Sequence, residues 1–403
     1  MGTGHRQPQK ILIVPHQPHR GIRVRALEIA RYLAQQPARD QVYVLTWELA
    51  QAVSGGVFAK TATRLSEMIR FSSAQESITP DPDTPNLFWV RLPYLLAPNG
   101  LCQWFNQQQI GRFMAHQQVD TVINANAYHF PIPKTTARYI YDVVDDHLSP
   151  ESGPHWKATR AFTLSECRKA DRIMAISHGL QAVLAQEGIR DVVRVPNGVD
   201  MATCAAVSSE TALASLKATY APNGEFLIAY VGNHGWWSGT EFLLRVFEKM
   251  REQVPNSRLL IVGPGEDVDR CREKHQGDHV VFTGPVSPQE ATDFFHLGDI
   301  GVLPFSLCPF THHALPLKIM EYGAAKKRVV SSPLHELEAL NFPHVDLTPL
   351  QEHLWAETLI DYAKNPQAWK AEWDKAIAAY NWPVLLQGLS RLLIDEDEKE
   401  SAP

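Results

Sequence analysis

The sequence predicts an α/β protein built from two doubly wound domains in succession. The chain has 403 residues, and single hydrophobic cores stop growing at about 250–300 residues. Hydrophobic residues make up 44% and charged residues 20%, a balance typical of soluble globular proteins. Short apolar strands alternate with amphipathic helices, and this alternation starts again halfway along the chain. These observations exclude a disordered chain, a collagen-like chain and a coiled coil.

The N-terminal half opens with a β-loop-α-β unit, which is typical of a parallel sheet. Helices are predicted over 22–33 and 180–186, and region 72–100, rich in proline and small polar residues, is predicted to form loops around one strand. The predicted strands lie at 10–14, 42–46, 87–92, 119–124, 139–144, within 170–177, and at 192–195.

A change of composition marks the predicted domain boundary. Pro196–Asp200 contains an Asn-Gly turn, and residues 204–221 are small and polar without a long apolar run. We predict an N-terminal domain over residues 1–200, a C-terminal domain over 201–380, a helix over 381–394 that packs back toward the N-terminal domain, and an acidic tail over 395–403.

The C-terminal half repeats the alternation as a βαβαβαβαβ pattern. Its strands are predicted at 226–231, 258–262, 280–283, 300–303 and 328–331, with helices that include 288–296 and 315–325. Three strands end in Gly232, Gly263 and Gly284, where a ligand could approach the backbone closely. The alternative is that these glycines form ordinary strand-to-helix turns.

The net charge, the length of the apolar runs and the cysteine spacing limit the classes of protein to which this chain can belong. The net charge of −6 does not favour nucleic acid, although the first 198 residues are net basic and the rest net acidic. The sequence contains neither an apolar run of about 18 residues nor a signal-peptide pattern, so a cytoplasmic protein is expected. The five scattered cysteines include no CxxC pair and predict neither disulfides nor a zinc site.

Residues 310–330 carry the most chemical information. Pro316 suits the first position of the predicted helix, and Lys318 and Glu321 share one helical face. A helix N-terminus with a nearby lysine can bind a diphosphate, and a carboxylate one turn further can accept hydrogen bonds from ribose hydroxyls. The alternative is a surface salt bridge between Lys318 and Glu321.

Four strings in order, ADRIMAIS, VPNGVD, AYVGN and LPLKIMEYGAAKKRVV, together with the two α/β domains, resemble a GT-B glycosyltransferase. The resemblance is closest to the large retaining group called family four, in a subgroup acting on cell-surface polysaccharides or lipid-linked glycans. It implies two Rossmann-like domains with an interdomain cleft. It also implies transfer of a sugar, with retention, from a nucleotide-diphosphate donor in the C-terminal domain to an acceptor at the N-terminal domain. The resemblance makes UDP the commonest expectation for the nucleotide.

The resemblance also implies roles for residues of the donor domain. Glu321 matches the family's ribose-binding glutamate, and Lys318 matches a lysine that touches the diphosphate in a subgroup. His313 stands eight residues before Glu321, where many members have an acidic residue. The remaining residues expected at the nucleotide sugar are Leu317, Gly232, Asn233, Thr283 and Gly284. The run Gly232–Gly239 lacks the arginine and lysine that many members have there, so Lys318 would carry more of the phosphate charge.

On the acceptor side, the string YDVVDDH ends a predicted strand and looks like an acidic motif of that subgroup. Asp146, Asp145 and His129 are the candidate catalytic residues, with Asp146 preferred. Capping of a helix is the favoured alternative for Asp142 or Asp145 taken alone. A structural role is the alternative for His129.

Arg20 and Gly21, in a loop that replaces the family's glycine-rich first loop, are expected on the acceptor side. With Arg23, Arg25 and Arg31, Arg20 could meet an anionic lipid-linked acceptor or the inner face of a membrane. A solvated helix face is the alternative. No cofactor and no metal are expected, because a helix dipole and Lys318 can stabilise the leaving diphosphate. A sugar-nucleotide epimerase of GT-B fold and a non-catalytic nucleotide-sugar-binding partner remain the competing functions.

Overall fold

The computed structural model describes residues 8–17, 24–36, 40–48, 71–95, 100–153, 155–275 and 277–389. The chain divides into two compact units, residues up to Val195 with those from Leu386 onward, and Pro196–Leu385. The division falls between residues 195 and 196. The sequence analysis had placed it five residues later, between 200 and 201. Backbone hydrogen bonds explain the difference, because Val199 donates to Tyr380 (2.8 Å) and accepts from Trp382 (3.1 Å), both residues of unit 2.

Unit 1 contains an eight-stranded sheet in the order β3-β4-β2-β1-β5-β6-β7-β8. Its strands are β1 (Lys10–Val14), β2 (Gln41–Thr46), β3 (Ser77–Pro80), β4 (Leu87–Arg91), β5 (Thr121–Asn124), β6 (Arg138–Val143), β7 (Arg172–Ala175) and β8 (Val192–Arg194). All neighbours pair in parallel except β3, which runs antiparallel to β4. This strand corrects the prediction that 72–100 holds one strand, and its four exposed residues lack the apolar pattern that identified the others.

The helices of unit 1 flank this sheet. They are α1 (Arg25–Ala34), α2 (Gly100–Gln117), α3 (Trp156–Lys169) and α4 (His178–Gln186), with a 3-10 turn over Pro150–Ser152. The apolar stripe predicted for the first helix is buried from Ala26 to Leu33. At the end of the described chain, a 3-10 turn covers Leu386–Gly388.

Unit 2 contains a six-stranded sheet, parallel throughout, in the order β11-β10-β9-β12-β13-β14. Its strands are β9 (Phe226–Val231), β10 (Ser257–Val262), β11 (Val280–Gly284), β12 (Ile300–Leu303), β13 (Val329–Ser331) and β14 (Val345–Leu347). Its helices are α5 (Met201–Cys204), α6 (Glu210–Tyr220), α7 (Thr240–Arg251), α8 (Glu266–Lys274), α9 (Pro288–Leu297), α10 (Pro309–His312), α11 (Leu317–Ala324), α12 (His335–Leu340), α13 (Glu352–Lys364), α14 (Trp373–Ala378) and α15 (Trp382–Leu385).

Two predicted segments differ from the structure. The polar stretch 204–221, taken as the boundary, contains α6, which Ser209 caps by accepting from the amide of Ala212 (3.0 Å). Small residues give this helix a weak apolar stripe, which the sequence pattern missed. The predicted helix over 381–394 is broken into α15 and a 3-10 turn as far as described, and residues 390–403 lie outside the described residues. Among the described residues, no helix is long and apolar enough to cross a membrane.

A buried ion pair connects α1 to the sheet of unit 1. The Arg25 guanidinium donates from Nε to Asp142 Oδ2 (2.8 Å) and from a terminal nitrogen to Oδ1 (3.0 Å). Both side chains are buried, with 5% and 1% of their surface exposed. Because the pair is bidentate and dry, it fixes the end of β6 against the start of α1.

We expect Arg25→Ala to destabilise the protein by about 3–5 kcal/mol, because it leaves the Asp142 carboxylate buried without its partner. Thermal unfolding measures the effect. Arg31→Ala on the same helix is the control, since Arg31 pairs with Glu28 at a site where its side chain is 41% exposed. Surface pairs contribute at most about 1 kcal/mol. Equal losses in the two variants would contradict a structural role for the buried pair.

Candidate functional site

In unit 2, the carboxyl ends of the central strands meet the start of α11. Strand β9 ends at Val231 and is followed by Gly232, and the neighbouring β10 is followed by Gly263. Helix α11 begins at Leu317, so Pro316 is its N-cap residue. The sequence analysis had placed Pro316 one position later, as the first helical residue. The first turn of a helix offers backbone N–H groups and a partial positive charge to an anion.

Lys318 in this first turn lies across Gly232. Its ammonium lies 4.7 Å from the ring centre of Tyr230 and 5.4 Å from that of Phe305, and it donates a long hydrogen bond to the carbonyl oxygen of Asn233 (3.4 Å). A Cβ atom on Gly232 would lie 2.4 Å from Lys318 Cε, and the glycine has a φ of 133°. A side chain at this position would therefore displace the lysine from the place it has here.

The position of Lys318 affects its charge. Burial lowers the pKa of Lys318 to about 7, and the nearby carboxylate of Glu321 opposes this shift. An anion placed at the helix N-terminus would favour the charged lysine in the same way. The site therefore has a cation whose charge increases when a dianion binds.

Tyr322, the neighbour of Glu321, anchors α11 to the sheet. Its buried hydroxyl donates to the carbonyl oxygen of Ala229 (2.6 Å) and accepts from the amide of Val231 (3.1 Å), both on β9. Glu321 is half-buried one turn after Lys318. The two predicted ligand-binding side chains are thus held by a helix that is hydrogen-bonded to the central strand.

The loop after β9 contains a residue that the sequence analysis missed. His234 is fully buried, its Nε2 donates to the carbonyl oxygen of Val262 (3.1 Å), and its ring packs edge-on against Tyr230 at 4.4 Å. Burial, together with Lys318, lowers the pKa of His234 to about 3, so the ring is neutral. His234 positions the loop and contributes no charge. The positive charge at this site therefore comes from Lys318 of α11.

The other predicted donor residues lie at the same edge of the sheet. The carbonyl oxygen of Gly284, at the end of β11, accepts from the amide of Gly263 (3.0 Å) and the hydroxyl of Thr283 (2.9 Å). His313 is the C-cap residue of α10, and Leu317 begins α11 and packs partly against the core.

In unit 1, the carboxyl ends of the adjacent strands β1, β5 and β6 bring together four side chains, which we call the His-Asp cluster: His16, Tyr128, Asp145 and His147. His16 Nε2 lies 3.5 Å from Asp145 Oδ2, and the Tyr128 hydroxyl lies 3.2 Å from His147 Nδ1. The two imidazole rings are 5.2 Å apart. The sequence analysis singled out only Asp145 of these four, because the residues come from three separate segments.

Burial sets the protonation of the His-Asp cluster. It raises the pKa of Asp145 to about 7, with a further contribution from the nearby Asp146 carboxylate. Burial lowers the pKa of His16 to about 4 and that of His147 to about 3. At neutral pH the cluster therefore holds two neutral imidazoles beside a carboxyl group that can gain or lose a proton.

The three acids of the YDVVDDH string have three different environments. Asp142 is paired with Arg25. Asp146 Oδ1 accepts from the amides of Leu148 (2.9 Å) and Ser149 (3.0 Å), and its Oδ2 accepts from the Ser149 hydroxyl. Helix capping was the favoured alternative for Asp142 or Asp145 taken alone, but Asp142 pairs with Arg25 and Asp145 lies beside His16. Asp146 holds the chain just before the 3-10 turn over Pro150–Ser152, whose N-cap residue is Ser149. Only Asp145 has its carboxylate in the His-Asp cluster, so the geometry favours Asp145 over Asp146 for chemistry.

His129 lies beside the cluster on the loop after β5. The Asn126 side chain holds this loop, because its Oδ1 accepts from the amides of Tyr128 (3.0 Å) and His129 (2.8 Å). Burial lowers the pKa of His129 to about 4. The catalytic role of His129 stays a prediction, and Arg20 and Gly21 lie outside the described residues.

Part of unit 2 matches a known protein family. Residues 225–352, which contain β9, β10 and α11, match the family "Glycosyl transferases group 1". A stretch of 96 residues is 34% identical to the "Putative teichuronic acid biosynthesis glycosyltransferase TuaH" of Bacillus subtilis (strain 168). This stretch covers 23% of the chain and 24% of that protein.

Solved structures match over almost the whole chain. Sucrose-phosphate synthase from Thermosynechococcus elongatus has a TM-score of 0.72 at 14% identity, over 98% of this chain and all of that chain. Anabaena HepE in complex with UDP-glucose has a TM-score of 0.64 at 15% identity, over 96% of this chain and 99% of that chain. At these identities the likeness shows the fold. The predicted α/β fold with two Rossmann-like domains is confirmed, as is the resemblance to GT-B glycosyltransferases.

Amine acylation followed by mass spectrometry should give Lys318 a titration midpoint near pH 7, against about 10.4 for an ordinary lysine. The neutral amine is the reactive form, and burial stabilises that form. The exposed Lys274 provides the internal comparison. If Lys318 and Lys274 are labelled with the same pH dependence, the burial of Lys318 is not as the structure has it.

We expect Gly232→Ala to displace Lys318 and to move its acylation midpoint toward that of an ordinary lysine. The added Cβ clashes with the lysine side chain and occupies a backbone conformation that favours glycine. Gly224→Ala is the matched control, since Gly224 also has a positive φ (71°) but no atom within 4 Å of the added Cβ. The midpoint of Lys318 should stay near 7 in Gly224→Ala, and an equal shift in both variants would contradict the steric argument.

Proposed function

We propose that this chain, whose residues 225–352 match the group 1 glycosyl transferases, is a glycosyltransferase. It moves a sugar from a nucleotide-diphosphate donor, bound by unit 2, to a glycan or lipid-linked acceptor, bound by unit 1. The observation that carries the proposal is the placement of Lys318 over Gly232 at the N-terminus of α11.

The donor side supplies charge where a diphosphate needs it. The bulk charge of this half of the chain is negative, so the diphosphate must be held by local groups. Lys318 lies in the first turn of α11, and its ammonium lies beside Gly232 at the end of β9. The amides of such a first turn can bind an anion together with the lysine. Glu321, one turn further along the helix, is proposed to accept from both ribose hydroxyls. The backbone at Thr283 and Gly284 is proposed to contact the base.

The nature of the donor is inferred from relatives. HepE of Anabaena has been solved in complex with UDP-glucose, and this supports a UDP-sugar as donor. The name of TuaH refers to teichuronic acid biosynthesis, which supports a cell-surface polysaccharide or its precursor as product.

On the acceptor side we assign the His-Asp cluster to the attacking hydroxyl. The hydroxyl oxygen attacks from the face that the diphosphate leaves. It forms a bond to the anomeric carbon as the bond from that carbon to the diphosphate oxygen breaks. The bonding electrons leave with the diphosphate, whose charge Lys318 and the α11 N-terminus stabilise. The hydroxyl proton passes to Asp145, whose pKa of about 7 suits a general base at neutral pH. We propose retention of the anomeric configuration, and no metal at the diphosphate.

Donor binding tests the proposal directly. In calorimetric titrations of the full chain with UDP and UDP-glucose, Lys318→Ala should weaken binding by about 10–100-fold, which corresponds to a charge-assisted hydrogen bond of about 1.5–3 kcal/mol. Glu321→Gln should weaken UDP binding less, because an amide oxygen still accepts. Lys274→Ala, which removes an exposed lysine of the same unit, should bind as the wild type does.

The outcomes separate the competing functions. If no nucleotide or nucleotide sugar binds, the proposal fails. Binding without sugar transfer or donor hydrolysis would favour the non-catalytic partner, and interconversion of two nucleotide sugars would favour the epimerase. Transfer that is lost in Asp145→Asn but kept in Asp146→Asn would support the choice of Asp145.

A further inference from the structure

The His-Asp cluster has the composition of a metal site. His16, Asp145 and His147 each present one ligand atom, and these atoms all lie within 4.8 Å of one another. Two imidazoles and one carboxylate form the ligand set of many catalytic zinc sites, which keep a fourth position open. We propose that this cluster binds a divalent transition-metal cation, with Zn²⁺ as the reference ion.

The spacing of His16 and Asp145 supports this proposal. Their nearest atoms, Nε2 and Oδ2, are 3.5 Å apart, longer than the ~2.7–3.2 Å of an N–H···O hydrogen bond. Two ligands bound at about 2.0–2.1 Å to a tetrahedral zinc ion lie about 3.3 Å from each other. The pair is therefore spaced as two ligands of one cation are. The third ligand atom, on His147, lies within 4.8 Å of the other two and would move inward to complete the set.

His147 adds an independent observation. It is 4% exposed, and its Nε2 atom is buried without a hydrogen-bond partner. A buried polar atom in this state needs an explanation, because leaving it unsatisfied costs free energy. Its other ring nitrogen, Nδ1, lies 3.2 Å from the Tyr128 hydroxyl. Metal-binding histidines typically have such a partner behind them, which fixes the tautomer and the orientation of the ring.

The location of the cluster fits a ligand site. His16, Tyr128 and Asp145 follow strands β1, β5 and β6, which are neighbours in the sheet. In open α/β sheets the carboxyl ends of adjacent strands form the binding crevice. A cation there would keep one coordination position for an oxygen ligand such as a sugar hydroxyl. The sequence predicted no metal, since the ligands lie more than 100 residues apart in two segments and share no spacing motif.

Calorimetric titration of the chelator-treated full chain with Zn²⁺ tests the inference. We expect one saturable site, and a loss of affinity of more than tenfold in Asp145→Asn and in His147→Gln. Tyr128→Phe should lower the affinity by about tenfold, because it removes the group that orients His147 without removing a ligand. Co²⁺ provides a second readout, since its visible absorption reports imidazole and carboxylate ligation.

Two controls locate the ion. His116→Ala removes an exposed histidine of α2 and should leave Zn²⁺ affinity unchanged. Cys308→Ser removes the one partly exposed thiol among the five cysteines and should also have no effect. Thermal unfolding with and without Zn²⁺ shows that each variant is folded, and only proteins that keep the site should be stabilised by the ion.

Three results would overturn the proposal. They are no saturable Zn²⁺ binding by the wild type, wild-type affinity in Asp145→Asn and His147→Gln, or loss of binding in Cys308→Ser. None of these readouts uses a nucleotide sugar. The metal proposal can therefore fail while the proposed transferase activity stands. The transferase proposal can likewise fail while the metal site stands.

Discussion

The contact between Lys318 and Gly232 is the constraint on which the donor-side site depends. The lysine reaches over the end of β9 only because the residue there has no side chain. The Tyr322 hydroxyl holds α11 against the same strand with two hydrogen bonds, so the lysine cannot avoid the contact by a shift of the helix. A long cationic side chain is thereby kept beside two aromatic rings and at a helix N-terminus. Its charge then responds to whatever binds there.

Packing also gives the acidic residues of unit 1 different environments. Asp142, Asp145 and Asp146 are close in sequence, yet packing gives each a different task. Asp142 neutralises Arg25 and fixes α1, and Asp146 is saturated by the turn that follows it. Asp145 lies 3.5 Å from His16 Nε2, and burial together with the Asp146 carboxylate raises its pKa to about 7. A carboxyl group in that state can exchange a proton or bind a cation, and both possibilities involve the same oxygen atoms.

The Gly232–Gly239 loop contains no arginine or lysine, and its buried histidine has a structural role. The neutral ring of His234 donates to the backbone of β10 and packs against Tyr230. The ring of Tyr230, on β9, also lies 4.7 Å from the Lys318 ammonium, so His234 and Lys318 pack against the same aromatic ring. The loop thus contributes rigidity to the site, and the electrostatic contribution falls on Lys318 and the helix.

Periodicity in the sequence alone determined the two α/β domains and most of their strands. Helix-face spacing and the family resemblance singled out Lys318 and Glu321, and a strand-terminal glycine singled out Gly232; their roles at a donor stay predictions. These features are local, since a strand, a turn and one helical face each lie within a short segment. The sequence did not reveal β3 or α6, whose residues bury too little apolar surface to make a pattern. It favoured Asp146 over Asp145 and did not connect His16 with His147. Only the tertiary structure shows that Asp145 lies with His16 and His147, because burial and the parallel order of β1, β5 and β6 join residues that are far apart in the chain.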